Sequence, residues 1–491
     1  SFLKFQVPTS QMPGIHTFYD GSKILEPLAE TVGIEVDRVN FVLSLFASFG
    51  ISYIYQKTCS LKQVNRQVRT VIPAVVGLSL VFFCFGRAIK HLLANALGSY
   101  AIMYFAPPTQ VHKIVMAFSM GYLFFIHTYR WMILDTYSLD VTGPIMVAVE
   151  KVTMMAFNLK DGKVKDESKL TEEQRKEALK EIPSLLEFMS FMFNFQTVLS
   201  GPANNYYDYV KFLDEKHLIA NKNGKMPSPT GVAMTKFYQA LGFLAIVVTL
   251  GGRYKVEDVG TKEYFDLPMY QWFFWWFITI FFIRCAYYFA WVFADAICNM
   301  SGFGFSGYDK EGNAEWKLCT NVLPYQVEMA QSLKETLDGW NIQTGFWLRK
   351  VGYERAPKSI RTVATYSLSA VWHGVSIGYY MAFFTCGLFT VAAQTFRRSM
   401  RWRFLDNVDK KFAYDIFSFI ISKIALAYAT YSFVTMHMYP AYDVLKRVYF
   451  IPHIVAFAVI FILPKVFKPL KKTQPAKIEK EIIDEKQIKQ E

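Results

Sequence analysis

Apolar runs long enough to form spanning helices recur along most of the chain, with short polar breaks between them. Crossing the hydrocarbon layer takes about 20 largely apolar residues. Candidate runs cover roughly 38–56, 71–87, 89–106, 111–134, 141–157, 184–200, 230–250, 268–299, 360–384, 386–397, 412–436 and 447–466. Pro73 and the pair Pro107-Pro108 interrupt them. Lipid tolerates such breaks only where protein or a cavity shields the backbone. The pattern predicts an all-α, polytopic integral membrane protein. It would have about 8–11 transmembrane helices, with re-entrant or tilted helices around an internal cavity.

Three stretches depart from this pattern. Residues 158–182 mix both charges and read as a polar loop with a short surface helix. Residues 302–360 form a long polar and amphipathic segment. The tail 467–491 alternates lysine with glutamate and reads as a frayed helix or disorder. We therefore expect one multi-pass domain over 1–466. The first residues lack the basic and apolar regions of a cleaved signal peptide, so the first span is expected to direct insertion.

Composition sharpens this reading. Charged residues are 19% of the 491, against about 25% in soluble proteins. Hydrophobic residues are 53%, aromatics 17%, and the mean hydropathy is +0.18. These values exclude a disordered chain, a coiled coil and a disulfide-stapled domain. Lysine and arginine exceed aspartate and glutamate by 53 − 40 = 13. Much of the surplus gathers at span ends: Lys57, Lys62, Arg66 and Arg69; Arg397 to Lys411; Lys465 to Lys472. All three clusters are expected on the cytosolic side, orienting the chain in a membrane rather than binding nucleic acid. The six cysteines form no C-x-x-C pair, and the eight histidines include no H-E-x-x-H, so no metal is expected.

Ionisable groups inside apolar runs are costly and default to functional candidates. His373 lies in an uncharged stretch from Ser367 to Gly387. Trp372 and Tyr379 flank it. Gly374 and Gly378, four apart, would share one helix face and permit close backbone approach. A functional histidine and a core histidine satisfied by a neighbouring helix both remain open on these grounds. For Glu187, Arg284, Asp295 and Asp415, structural pairing or an interfacial location is expected rather than catalysis. Upstream, Trp340 and Asn341 precede a basic stretch with Arg349, Lys350, Tyr353 and Arg355. That stretch would suit a polyanionic ligand entering an apolar cavity, or simply the positive-inside rule.

The segment WNIQTGFWLRKVGYERAP, followed by WHGVSIGYYMAF with His373 32 residues after Asn341, resembles the membrane-bound O-acyltransferase (MBOAT) family. DVTGPIMVAVEKVTMMAF, LSGPANNYYDYVKFLD and GFSGYDKEGNAEW resemble its lysophospholipid acyltransferase branch, types 1 and 2, over nearly the whole chain. The resemblance implies an MBOAT-type helical fold and transfer of an acyl group, unsaturated and oleoyl-like, from acyl-CoA as co-substrate. The acceptor would be lysophosphatidylethanolamine, lysophosphatidylserine or lysophosphatidylcholine, in the endoplasmic reticulum membrane. No permanently bound cofactor is implied. His373 would act as general base, with Asn341 as oxyanion donor or positioning group. Trp340, Trp372, Gly374, Gly378, Tyr379, Arg349, Lys350, Tyr353 and Arg355 become candidate substrate contacts. A protein or sterol acceptor, and a transporter using His373 as proton relay, are the alternatives. Oligomeric state is not legible.

Overall fold

The computed structural model describes residues 20–133, 139–221, 224 and 226–469. The first 19 residues and the tail beyond 469, with its expected frayed helix, lie outside them. In chain order the helices that matter below are α1 (Val36–Thr58), α2 (Arg66–Phe85), α3 (Ile89–Phe105), α4 (Val111–Ile133) and α5 (Thr142–Asp161). Then come α6 (Glu172–Glu177), α7 (Thr230–Leu250), α8 (Met269–Met300), α9 (Ile342–Leu348), α10 (Arg361–His373) and α11 (Ile377–Met400). The set ends with α12 (Val408–Thr435), α13 (Met438–Arg447) and α14 (Ile451–Phe461). Two two-residue strands, Gly307–Tyr308 and Ala314–Glu315, make a small antiparallel hairpin. The protein is a polytopic all-α membrane protein.

Among the described residues, seven helical runs are long and apolar enough to cross a bilayer, with α2 and α3 joined as one. The count rises to eight if the pair Met438–Arg447 and Ile451–Val466, bent by 73°, is one span. Several expected runs resolve differently. The run at 141–157 is a helix, but nearly all of it is buried inside the protein, including Glu150 and Lys151. The run at 184–200 is helical only over Leu185–Phe193. The boundary expected near 385 falls instead at Gly374–Ser376, so the runs at 360–384 and 386–397 become α10 and a single long α11.

Pro73 does not break its helix. α2 runs through it. Proline removes the N–H that would bind the carbonyl four residues back. That carbonyl belongs to Arg69, and the Tyr55 hydroxyl of α1 donates to it at 3.0 Å. The next carbonyl, Thr70, accepts from the Ser190 hydroxyl at 2.6 Å. In an apolar medium the freed Arg69 carbonyl would otherwise cost several kcal/mol, on the order of 2–7.

The charged groups in apolar runs are paired. Asp295 of α8 meets Lys236 of α7 at 2.6 Å and the Thr320 hydroxyl at 2.8 Å. Arg284 makes two bonds of 2.7 Å to Glu328. Glu187 meets Arg66 at 2.6 Å, and Asp415 meets Lys411 at 2.8 Å. Arg69, expected among the headgroups, is buried and donates to the carbonyls of Phe212 and Leu213. The second basic cluster meets the described start of the third, with the Arg403 guanidinium 5.1 Å over the Phe467 ring.

Breaking a buried ion pair by removing one partner costs about 3–5 kcal/mol. Lys236→Met should therefore lower the melting temperature in detergent markedly, and Lys236→Met with Asp295→Leu should recover most of it. A single variant that melts like wild type would contradict the pairing.

Candidate active site

A cavity of about 2530 Å³ lies among α4, α5, α8, α9, α10, α11 and α12. Small-molecule pockets are usually about 300–1,000 Å³, so this one has room for more than one lipid-sized ligand. His373 and Asn341 both line it, with Trp340, Trp372, Tyr379, Arg349 and Tyr353.

His373 is the last residue of α10. Gly374 follows at φ +130°, a conformation L-residues rarely adopt, and ends the helix there. His373 is thus presented from a helix terminus rather than from mid-span. Its ring packs among Trp372, Phe383, Phe433 and Tyr379, with centroids 4.6, 5.0, 4.9 and 5.7 Å away. Among the described residues no side chain or backbone group hydrogen-bonds the imidazole. Aromatic packing holds the ring, and its nitrogens are left for a ligand in the cavity. The expected shared face of Gly374 and Gly378 does not form, because the helix break separates them. Gly378 instead lets α11 touch α12. A Cβ there would lie 2.2 Å from the Ser432 carbonyl oxygen.

Asn341 is the N-cap of α9, in the left-handed region at φ +47°. Asn321 secures it on three sides. Its carbonyl accepts from Ile342 N–H at 2.8 Å, its Oδ1 from Gln343 N–H at 3.0 Å, and its amide donates to Asn341 Oδ1 at 3.1 Å. The oxygen end of Asn341 is therefore committed, and the N–H end is left as donor. Trp340 packs on α8 through Trp291 at 5.0 Å and Tyr287 at 5.6 Å.

One face of α5 holds both segments. The Met146 carbonyl accepts from Trp372 Nε1 at 3.1 Å, next to His373. One turn on, Glu150 Oε1 accepts from the Thr344 hydroxyl at 2.7 Å, in the first turn after Asn341. Thr153 accepts from Trp347 Nε1 at 2.8 Å. These three anchors span seven residues, about 10 Å of helix. Glu150, itself lining the cavity, and Asn321 were not singled out in the sequence. Glu150 carried a usable signal, a carboxylate within an apolar run. Asn321 carried none.

The basic stretch differs from expectation. Arg349 meets Glu173 at 2.6 Å, Lys350 meets Glu177 at 2.5 Å, and Arg355 grips Asp161. The acidic partners come from α6 and the end of α5. A bare cationic entrance is thus not what the sequence produces. Arg349 and Tyr353 face the cavity, whereas Lys350 and Arg355 are turned to the acidic segment. Among the described residues, no group of three or more His, Cys, Asp or Glu side chains converges as metal ligands would.

The family profile described as MBOAT, membrane-bound O-acyltransferase family, matches residues 122–438, which include Asn341 and His373. The chain is similar to lysophospholipid acyltransferase 6 of Drosophila melanogaster, at 33% identity over 92% of this chain, and spans 64% of that protein's length. It is similar to membrane-bound glycerophospholipid O-acyltransferase 2 of Rattus norvegicus, at 35% identity over 92% of this chain and 89% of the rat protein. It is also similar to membrane-bound glycerophospholipid O-acyltransferase 1 of Homo sapiens, at 36% identity over 92% of this chain and 94% of the human one.

The close approach at Gly378 is testable by contrast. Gly378→Ala must push α11 from α12 and should cost about 1–3 kcal/mol. Gly242→Ala, where a Cβ meets nothing within 4 Å, should be neutral or stabilising by up to about 1 kcal/mol. Melting in detergent reads both, and equal shifts would be incompatible with the contact.

Proposed function

The chain belongs to the membrane-bound O-acyltransferase family, and from that premise we propose that it is a lysophospholipid acyltransferase. It moves a fatty acyl group from acyl-CoA to the free hydroxyl of a lysophospholipid. The observation that carries this reading is a histidine, its ring unbonded among the described residues, at the wall of a large apolar cavity in a chain whose relatives are named as lysophospholipid or glycerophospholipid acyltransferases. Acceptors are lysophosphatidylethanolamine, lysophosphatidylserine or lysophosphatidylcholine, and the acyl group is oleoyl-like. The enzyme works in the endoplasmic reticulum membrane and needs no permanently bound cofactor.

In this reading a nitrogen of neutral His373 takes the proton of the glycerol hydroxyl as its oxygen attacks the thioester carbonyl. The carbonyl oxygen gathers negative charge and receives the Asn341 N–H, whose other end Asn321 holds. The C–S bond then breaks, CoA leaves as thiolate, and the imidazolium returns the proton to it. No acyl-enzyme is required. Trp340, Trp372 and Tyr379 line the apolar walls, and Gly374 supplies the turn that presents the base. Arg349 and Tyr353 meet the CoA head, while Lys350 and Arg355 support that end through their ion pairs.

General base catalysis is worth about 10²–10⁴ in rate, and one oxyanion donor about 10²–10³. Purified protein with labelled oleoyl-CoA and a panel of lysophospholipids should give product. His373→Ala should lose transfer by the first range and Asn341→Ala by the second, both folding normally. Near wild-type turnover in His373→Ala would remove it as base. No product with any lysophospholipid would move the acceptor to a protein or a sterol.

A further inference from the structure

We propose that His127 of α4 is the positioning residue for His373, an inference that rests on the acyltransferase reading above. His127 is buried and lines the same cavity. Its Nε2 lies 3.2 Å from the Trp372 carbonyl oxygen. A carbonyl oxygen can only accept, so Nε2 carries the hydrogen and donates.

That carbonyl needs a donor. The last carbonyls of a helix have no partner within it. α10 stops at His373, and the Gly374 N–H binds the Ala370 carbonyl instead. In an apolar setting an orphaned Trp372 carbonyl would be costly. The His127 N–H closes it. The same ring lies against the other side of His373. A Cβ on Gly374 would be 3.2 Å from His127 Cγ and 3.3 Å from its Nδ1. One ring therefore touches both residues that flank the base in sequence. The Trp372 indole is fixed separately, by the Met146 carbonyl of α5.

Among the described residues the His373 imidazole has no hydrogen bond to hold it. Its four aromatic neighbours limit where the ring can lie, but they do not place the backbone from which it projects. That placement falls to the helix end and to the single cap donated by α4. Simple packing would be satisfied by any flat ring at position 127, whereas this role requires the N–H.

The two accounts separate experimentally. In purified protein, His127→Phe keeps the ring and loses the donor. It should lower kcat by about 10- to 100-fold, the scale of a 1 Å misplacement, with KM for both substrates within about threefold. His127→Gln, which restores an N–H of similar reach, should recover most of kcat. If the phenylalanine variant does not fold, His127→Asn replaces it, since its shorter amide falls short of the carbonyl. A wild-type kcat in His127→Phe, a loss confined to KM, or a glutamine variant no better than phenylalanine would overturn the proposal. Modification of His373 by diethyl pyrocarbonate, read by mass spectrometry, gives a measure independent of turnover. Its rate in His127→Phe should differ from that in wild type, and in His127→Gln it should return to the wild-type value. An unchanged rate would also overturn the proposal, even if wild-type protein acylated no lysophospholipid and the activity reading had failed by itself.

Discussion

The segments that carry Asn341 and His373 are both tied to one buried helix. α5 presents Met146, Glu150 and Thr153 along a single face, and each accepts a hydrogen bond from the segments bearing the site. Its far end, Asp161, takes the Arg355 guanidinium. Asn341 and His373 are 32 positions apart in the chain, with a π-helical turn at Arg349–Tyr353 and a loop between them. A path with those breaks in it cannot by itself fix the two side chains relative to each other. A shared rigid rail can. The anchors are hydrogen bonds with direction, and those from Thr344 and Trp347 are fully buried.

The price of such a rail is an unusual interior. α5 carries Glu150 and Lys151 side by side, and both are buried. They point to different partners: Glu150 to Thr344, and Lys151 to the Phe191 carbonyl and the Thr197 hydroxyl. The helix thus bonds outward on two sides, joining the segments of Asn341 and His373 to the helix Leu185–Phe193 and the loop after it. Most of the helix is buried inside the protein, and its polar groups meet protein partners.

The architecture was legible in the sequence because lipid imposes its demand through composition. Apolar length marks α1 to α4, α7, α8, α11 and α12 directly. It does not tell a lipid-facing run from a protein-facing one, so 141–157 read as an ordinary span. Ion-pair partners were hidden for a different reason. Lys236 and Asp295, or Arg284 and Glu328, meet only through helix packing, and no spacing rule joins them. The break after His373 was hidden because glycine is compatible with a helix and with its end. The sign of φ at Gly374 is set by what surrounds it. Asn341 and His373 were picked out together through family resemblance. Residue chemistry alone marked His373 as unusual and said nothing of the polar groups that frame it. His127 sat in an apolar run, just as His373 does, without drawing notice.

Proline within a spanning helix is usually regarded as a joint about which the helix can bend. At Pro73 the opposite holds. The carbonyl it frees is taken by Tyr55 from α1, and the next one by Ser190. The lost intrahelical bond has become a brace between neighbouring elements, and α2 is stiffened where it should have been weakest.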